Sequence, residues 1–249
     1  MNTVRLSEKA TQFIDSVQKE TNKPINIIIS TDIGANMMAS TTPNPDAITI
    51  NVSDRLLGNQ QEAIDQSVCH EAVHGLLIHR HNYYYPILVY EPTQEERMSV
   101  NLCMTMIEDI VVNKILADNG IQPFAPQYIP MVRREIDAMN NNQDIYKDHL
   151  AIGQYFYQRF KVFRYVMACG FLKYFQLVPE QRKLISRFVK HFERSFRELM
   201  PEASQIVEWI ETNDIFTPEG HRIVVEKCLN MWGLNGKVQF TKLNCYNQA

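Results

Sequence analysis

Two histidines and a glutamate form an H-E-x-x-H motif at His70, Glu71 and His74. The apolar residues around them recur with helical spacing, which predicts a helix over residues 59–78. Because residues four apart on a helix lie one turn above each other, both imidazoles can bind a single Zn²⁺ ion. Glu71 is placed to act as a general base on a water held by that ion. The motif therefore predicts a zinc-dependent hydrolase.

A catalytic zinc site usually has three protein ligands and a fourth position for water, so a third ligand is needed. The metzincin pattern extends the motif to H-E-x-x-H-x-x-G-x-x-H. This chain has Leu77 and Arg80 where that pattern requires glycine and histidine. The pattern is therefore disfavoured, and the third ligand must come from another part of the chain.

Two adjacent acids, Glu108 and Asp109, interrupt an otherwise apolar run in a predicted helix over residues 93–119. A buried carboxylate without a partner is costly, so such acids need a cation, a hydrogen-bond network or an exposed face. Helical periodicity does not separate the two acids, because apolar neighbours flank both. Both are candidates for the third zinc ligand, and Asn113 shares the helix face of Asp109.

A few strands and many helices must position these side chains. Short β-branched segments predict strands over 25–29 and 47–52, with a loop rich in Thr, Pro and Asn between them. A helix over 8–20 precedes the strands, and Thr93 and Glu96 form a capping box for the helix over 93–119. Further helices are predicted over residues 156–175, 184–199, 202–213 and 218–231.

This order of elements predicts an α+β fold dominated by helices, with a small sheet, a motif-bearing helix and an acid-bearing helix, followed by an all-helical C-terminal part. The asparagine run at 140–142 marks the strongest candidate boundary. The predicted division is a core at residues 1–120, a connection at 121–145, a helical subdomain at 146–235 and a tail at 236–249.

A strand pair, an H-E-x-x-H helix and a following helix with an acidic residue resemble the gluzincin branch of the zincin metallopeptidases. The similarity is to minimal gluzincins of the IrrE/ImmA-like and SprT-like types, and it covers residues 8–118. The helix with Glu108 and Asp109 is also similar to the acidic helix of metallopeptidase domains found beside von Willebrand A domains. In thermolysin-like gluzincins this helix reads E-x-x-x-D, whereas here Val112 follows Glu108 at that spacing and Asn113 follows Asp109.

The resemblance implies a zinc metallopeptidase that hydrolyses peptide bonds in a polypeptide substrate. It implies that His70 and His74 bind zinc, that Glu71 is the general base, and that Glu108 or Asp109 completes the site. The strand over 47–52 is similar to the zincin edge strand that pairs with an extended substrate. Candidates for an oxyanion-stabilising residue rest on residue type alone: Tyr83, Tyr84, Tyr85, Tyr146 and His149.

The composition is that of an ordinary globular chain, with 249 residues, 45% apolar residues and a formal net charge of −3. These values exclude a disordered or collagen-like chain. No apolar stretch approaches the roughly 18 to 20 residues of a membrane span, and no secretory signal is visible, so we expect no membrane partner and a cytoplasmic location. The five scattered cysteines lack a C-x-x-C pair and indicate reduced thiols.

The small net charge hides an asymmetry. Residues 159–198 contain ten Lys or Arg and three Glu, so this segment has a formal charge of +7 and the rest of the chain −10. Interleaved aromatic residues would suit a surface for nucleic acid or an acidic partner. The favoured interpretation is instead a helical bundle with aromatic side chains inside and basic side chains either in solvent or docked on the acidic N-terminal half. Two alternatives to a peptidase follow: a non-catalytic zinc-site protein that regulates or binds, and a nucleic-acid-associated protein.

Overall fold

The fold is α+β and dominated by helices, as predicted. The computed structural model describes residues 4–31, 38–121, 128–234 and 236–242. The chain divides into two compact units. One comprises Met1–Tyr84, Val112–Pro126 and Thr241–Ala249, and the other Tyr85–Val111 and Gln127–Phe240. None of the described helices combines the length and the apolar character that a bilayer crossing requires.

The first unit contains the sheet and the motif helix. Its elements are α1 (Glu8–Thr21), β1 (Ile25–Ser30), β2 (Ala39–Pro43), β3 (Ile48–Ser53) and α2 (Gln61–His79). Ser7 is the N-cap of α1, since its side chain accepts a hydrogen bond from the N–H of Ala10 at 3.3 Å. The predicted helices over 8–20 and 59–78 are confirmed with small shifts at their ends.

The three strands form one sheet in the order β1, β3, β2. Strand β3 is parallel to β1 and antiparallel to β2, with Thr41 opposite Ile50. The prediction that the strand over 47–52 is an edge strand is therefore wrong. Its alternation reflects the burial of Ile48, Ile50 and Val52 on one face and carries no information about pairing at its edges. An edge position belongs instead to β2, which lies in the segment predicted as a loop.

Helix α2 lies directly on this sheet, and Gly75 permits the close approach. A Cβ atom at this position would lie 2.7 Å from Ile48 Cγ2, well inside ordinary contact distance. Glycine inside a helix costs about 1 kcal/mol relative to alanine, so packing rather than helix propensity explains this residue. Because Gly75 directly follows His74, the close approach also fixes the position of the motif over the sheet.

The second unit is mostly helical. Its elements are β4 (Tyr85–Leu88), α3 (Gln94–Asp118), α4 (Tyr128–Asn140), α5 (Gln154–Tyr174), α6 (Pro179–Ser195), α7 (Met200–Thr212), α8 (Pro218–Met231) and β5 (Val238–Thr241). From residue 112 onward, α3 belongs to the first unit. The predicted capping box of α3 is confirmed, since the N–H of Glu96 donates to Thr93 Oγ1 at 3.2 Å and the N–H of Thr93 donates to Glu96 Oε2 at 2.9 Å. Strands β4 and β5 pair with each other.

The four predicted C-terminal helices are confirmed as α5 to α8, again with shifted ends. Three further segments without a predicted element contain one: β4 lies between the predicted helices over 59–78 and 93–119, α4 within 121–145 and β5 within 236–249. Residues typical of loops lie at both ends of α4, so the sequence does not predict this helix. Pro130 lies in its first turn, where proline is tolerated, and the asparagine run begins at its last residue.

The second unit contains one fully buried ion pair, Arg164 with Glu135, and one that joins the buried Lys161 to the half-buried Asp144. Arg164 Nε and Nη2 donate to the two carboxylate oxygens of Glu135 at 2.8 and 3.0 Å, and these side chains are 5% and 2% exposed. Lys161 Nζ donates to Asp144 Oδ2 at 2.7 Å. The interpretation that places the basic side chains of residues 159–198 in solvent or on the N-terminal half therefore does not hold for Lys161 and Arg164.

Candidate metal centre

The described residues contain one group of three side chains suited to a metal ion: His70, Glu71 and His74. One ligand atom from each lies within 4.8 Å of the others, and all three side chains are half-buried. None of the three is among the fully buried residues of α2. The sequence prediction that these three residues come together is therefore confirmed.

The spacing of the two imidazole nitrogens fits a zinc ion with tetrahedral coordination. His70 Nε2 and His74 Nε2 lie 3.2 Å apart, and the ring centroids are 4.9 Å apart at an interplanar angle of 70°. Two nitrogens that each bind Zn²⁺ at about 2.0–2.1 Å in tetrahedral geometry lie about 3.3 Å from each other. The two histidines can therefore bind one zinc ion without rearrangement of the helix.

Glu71 is held by a residue that the sequence analysis did not identify. The hydroxyl oxygen of Thr41, on β2, lies 2.9 Å from Glu71 Oε2 and 2.6 Å from the backbone carbonyl oxygen of Glu71. The hydroxyl has a single proton, so it donates to one of these acceptors at a time. The signal for Thr41 was present in the sequence, because residues 40–42 are Ser-Thr-Thr and β-branched residues favour strands.

Beside Glu71, some N–H and C=O groups of β2 point away from the rest of the sheet. The N–H of Ser53 donates to the carbonyl of Met38, which makes 38 and 53 a hydrogen-bonded pair of the antiparallel ladder. Such pairs alternate with non-hydrogen-bonded ones, so Ala39 and Thr41 direct their N–H and C=O groups away from β3. Among the described strands, β3 is the one that pairs with β2. This edge therefore carries backbone groups that β3 does not use, on a half-buried Thr41 and on Ala39, which is only 9% exposed.

The residue before the motif, Cys69, lies outside this group. It is fully buried on α2. Burial, with a further contribution from Asp65, raises the pKa of its thiol to about 12.

The two candidate acids differ in burial. Glu108 is 8% exposed, whereas Asp109 is half-buried and Asn113 is 5% exposed. Glu108 and Asp109 lie on the part of α3 that belongs to the second unit, and the His70 group lies in the first. The assignment of either acid as third ligand stays a prediction.

The candidates for an oxyanion-stabilising residue lie in different places. Tyr83 is 2% exposed in the first unit, where Lys242 Nζ also lies 4.5 Å from the ring centroid of Tyr84. In the second unit, Tyr146 is buried and the His149 ring lies 3.9 Å from that of Phe160. These contacts explain Tyr83, Tyr146 and His149 as packing residues.

Comparison with known proteins adds no further assignment. No family model, curated protein or solved structure matches this chain. Its function is therefore inferred from the side chains and backbone groups described above.

Proposed function

We propose that the protein is a zinc-dependent metallopeptidase that hydrolyses peptide bonds in a polypeptide substrate. The observation that supports it best is the group His70, Glu71 and His74 on α2, with imidazole nitrogens 3.2 Å apart. The four described cysteines are free thiols, which is typical of a reducing compartment and supports a cytoplasmic location.

In this proposal His70 and His74 bind the zinc ion, and a carboxylate of α3 completes the site. Burial favours Glu108 over Asp109, because a carboxylate that is 8% exposed gains more from a cation than a half-buried one. When bound, zinc would lower the pKa of a water molecule and polarise the scissile carbonyl. Glu71 accepts a proton from that water and later delivers it to the leaving amine.

Thr41 can hold Glu71 in both of its protonation states. While Glu71 is a carboxylate, the Thr41 hydroxyl donates to Oε2. Once Glu71 has taken up a proton, its O–H can donate to Thr41 Oγ1, and the Thr41 proton turns to the Glu71 carbonyl 2.6 Å away. The carboxyl group thus keeps its orientation while the proton moves.

The outward edge of β2 provides a docking place for the substrate. An extended polypeptide can add to this edge through the N–H and C=O groups of Thr41, as in other cases of strand addition. Since Thr41 also contacts Glu71, a segment bound there would lie beside the proposed base.

Metal analysis and matched substitutions test the proposal. We expect one zinc per chain in purified protein, cleavage of a fluorescently labelled unfolded protein, and loss of zinc in His70→Ala and His74→Ala. Glu71→Gln should keep the zinc and lose the cleavage. Glu62→Gln, which alters an exposed acid of the same helix, should keep both.

Two results would contradict the proposal. Zinc at 100 times its dissociation constant stabilises a protein by about 2.7 kcal/mol. A wild-type chain that contains no zinc and gains no thermal stability from added zinc has no such site. Zinc binding without cleavage of any substrate, or of the chain itself, would support the non-catalytic zinc-site protein instead.

A further inference from the structure

We propose that one face of helix α6 binds the phosphate backbone of nucleic acid. The face consists of Lys183, Arg187, Lys190 and Arg194, which we call the α6 basic stripe. All four are exposed. Their steps of four, three and four residues keep them within an arc of about 60° of the helix surface. This inference does not depend on the proposed peptidase activity.

The stripe lies opposite the buried side of the helix. Ile185, Phe188 and Phe192 point into the second unit and are 0–1% exposed. Packing therefore fixes the rotation of α6 about its own axis, and the four cations must face outward together.

Some cations elsewhere in the chain have an acidic partner, and in the described part of the chain the four cations of the stripe do not. Lys173 Nζ lies 3.0 Å from Glu211, and Arg222 lies 2.7 Å from Glu226. Among the residues described, no member of the stripe makes an ion pair or a side-chain hydrogen bond. Like charges three or four residues apart destabilise a helix, so the stability of α6 does not explain the stripe.

The charges also act on a neighbouring group. Burial lowers the pKa of His191, and Arg187 and Arg194 lower it further. Arg187 and Arg194 therefore both disfavour the protonated form of His191.

The geometry favours nucleic acid over a membrane. From Lys183 to Arg194 the helix rises by 11 residue steps, or about 16 Å at 1.5 Å per residue. One strand of duplex DNA presents a phosphate about every 3.4 Å, hence about five along that length. A helix that binds membranes uses an exposed apolar face, whereas the apolar face of α6 is buried.

Fluorescence anisotropy with a labelled 20-base-pair DNA duplex and a 20-nucleotide single strand tests the proposal. Four phosphate contacts predict a slope of log K against log salt of about −3.6 for the duplex and about −2.8 for the single strand. Raising NaCl from 50 to 200 mM should then weaken binding about 150-fold and about 50-fold, respectively.

A matched pair of variants separates the stripe from overall charge. The stripe variant changes Lys183, Arg187, Lys190 and Arg194 to Gln. The control changes four exposed basic residues outside the stripe to Gln: Lys19, Arg97, Arg133 and Lys147. Both variants take the formal net charge from −3 to −7.

We expect the stripe variant to bind at least 100-fold more weakly than wild type at 50 mM NaCl and the control to bind within about threefold of wild type. Circular dichroism should show that both remain folded. Equal binding by the two variants would overturn the proposal, as would wild-type protein that binds neither DNA at 50 mM NaCl. Binding to vesicles of phosphatidylcholine and phosphatidylserine without binding to DNA would also overturn it.

Discussion

Removing either partner of the buried pair between Arg164 and Glu135 should destabilise the protein by about 3–5 kcal/mol. The two side chains are 5% and 2% exposed and share two hydrogen bonds, at 2.8 and 3.0 Å. Arg164→Met leaves the carboxylate buried without its bidentate partner. Glu135→Leu leaves the Arg164 guanidinium buried without its acidic partner.

The double variant should be more stable than either single variant. Replacement of a buried ion pair by apolar side chains of similar volume is often neutral or stabilising, because the desolvation cost of both charges disappears. We therefore expect the combination of Arg164→Met and Glu135→Leu to lie within about 2 kcal/mol of wild type. The two single changes would then be coupled by several kcal/mol, well above the scatter expected for independent sites.

Urea unfolding at 25 °C, followed by circular dichroism, measures these differences directly. Lys114→Met is the control, because it removes an exposed ion pair with Asp118 on α3 and should cost less than about 1 kcal/mol. Additive losses in the double variant would refute the reasoning. So would single-variant losses as small as that of Lys114→Met.

Two further predictions concern Thr41 and Asp144. Thr41→Val should keep one zinc per chain but slow peptide cleavage about 10- to 100-fold, since a hydrogen bond to a charged group contributes about 1.5–3 kcal/mol. Thr41→Ser keeps a hydroxyl and should therefore retain most of the wild-type rate. Equal cleavage rates for the Val and Ser variants would contradict the role given to the hydroxyl. Burial raises the pKa of Asp144, but hydrogen bonds from Lys161 and Tyr157 outweigh it and lower the pKa overall. Because the folded-state pKa lies below the unfolded one, this stabilisation is present above about pH 4 and is lost as the pH falls through the folded-state pKa. The urea midpoint of wild type should therefore fall more steeply between about pH 5 and pH 2 than that of Asp144→Asn, and parallel profiles would contradict this.

Most helices were predictable because the apolar residues that they bury recur with a helical period in the sequence. In α6, for example, Ile185, Phe188 and Phe192 recur at three- and four-residue steps and are all buried. Strand β2 was not predictable in the same way. Its residues Ala39–Pro43 show no apolar alternation, and the strand depends on pairing with β3 and packing under α2.

The candidate site was predictable as far as it depends on local spacing. His70, Glu71 and His74 lie on one helix, so their grouping follows from the positions of residues four apart. Thr41 is 30 residues from Glu71 in the chain, and only the sheet brings them together. Glu108 and Asp109 differ by one position, and their different burial depends on how α3 is rotated in the fold.

The basic segment 159–198 shows why a charge count is ambiguous until burial is known. Lys161 and Arg164 are 4% exposed, and their charges are neutralised by the half-buried Asp144 and the buried Glu135. The α6 basic stripe has no such structural role, since its members face outward and repel one another along the helix. Each side chain of either group adds one positive charge to the formal count, yet only the second group can attract a partner. The net charge of the whole chain opposes binding to DNA, so any affinity must arise from the local field of the stripe.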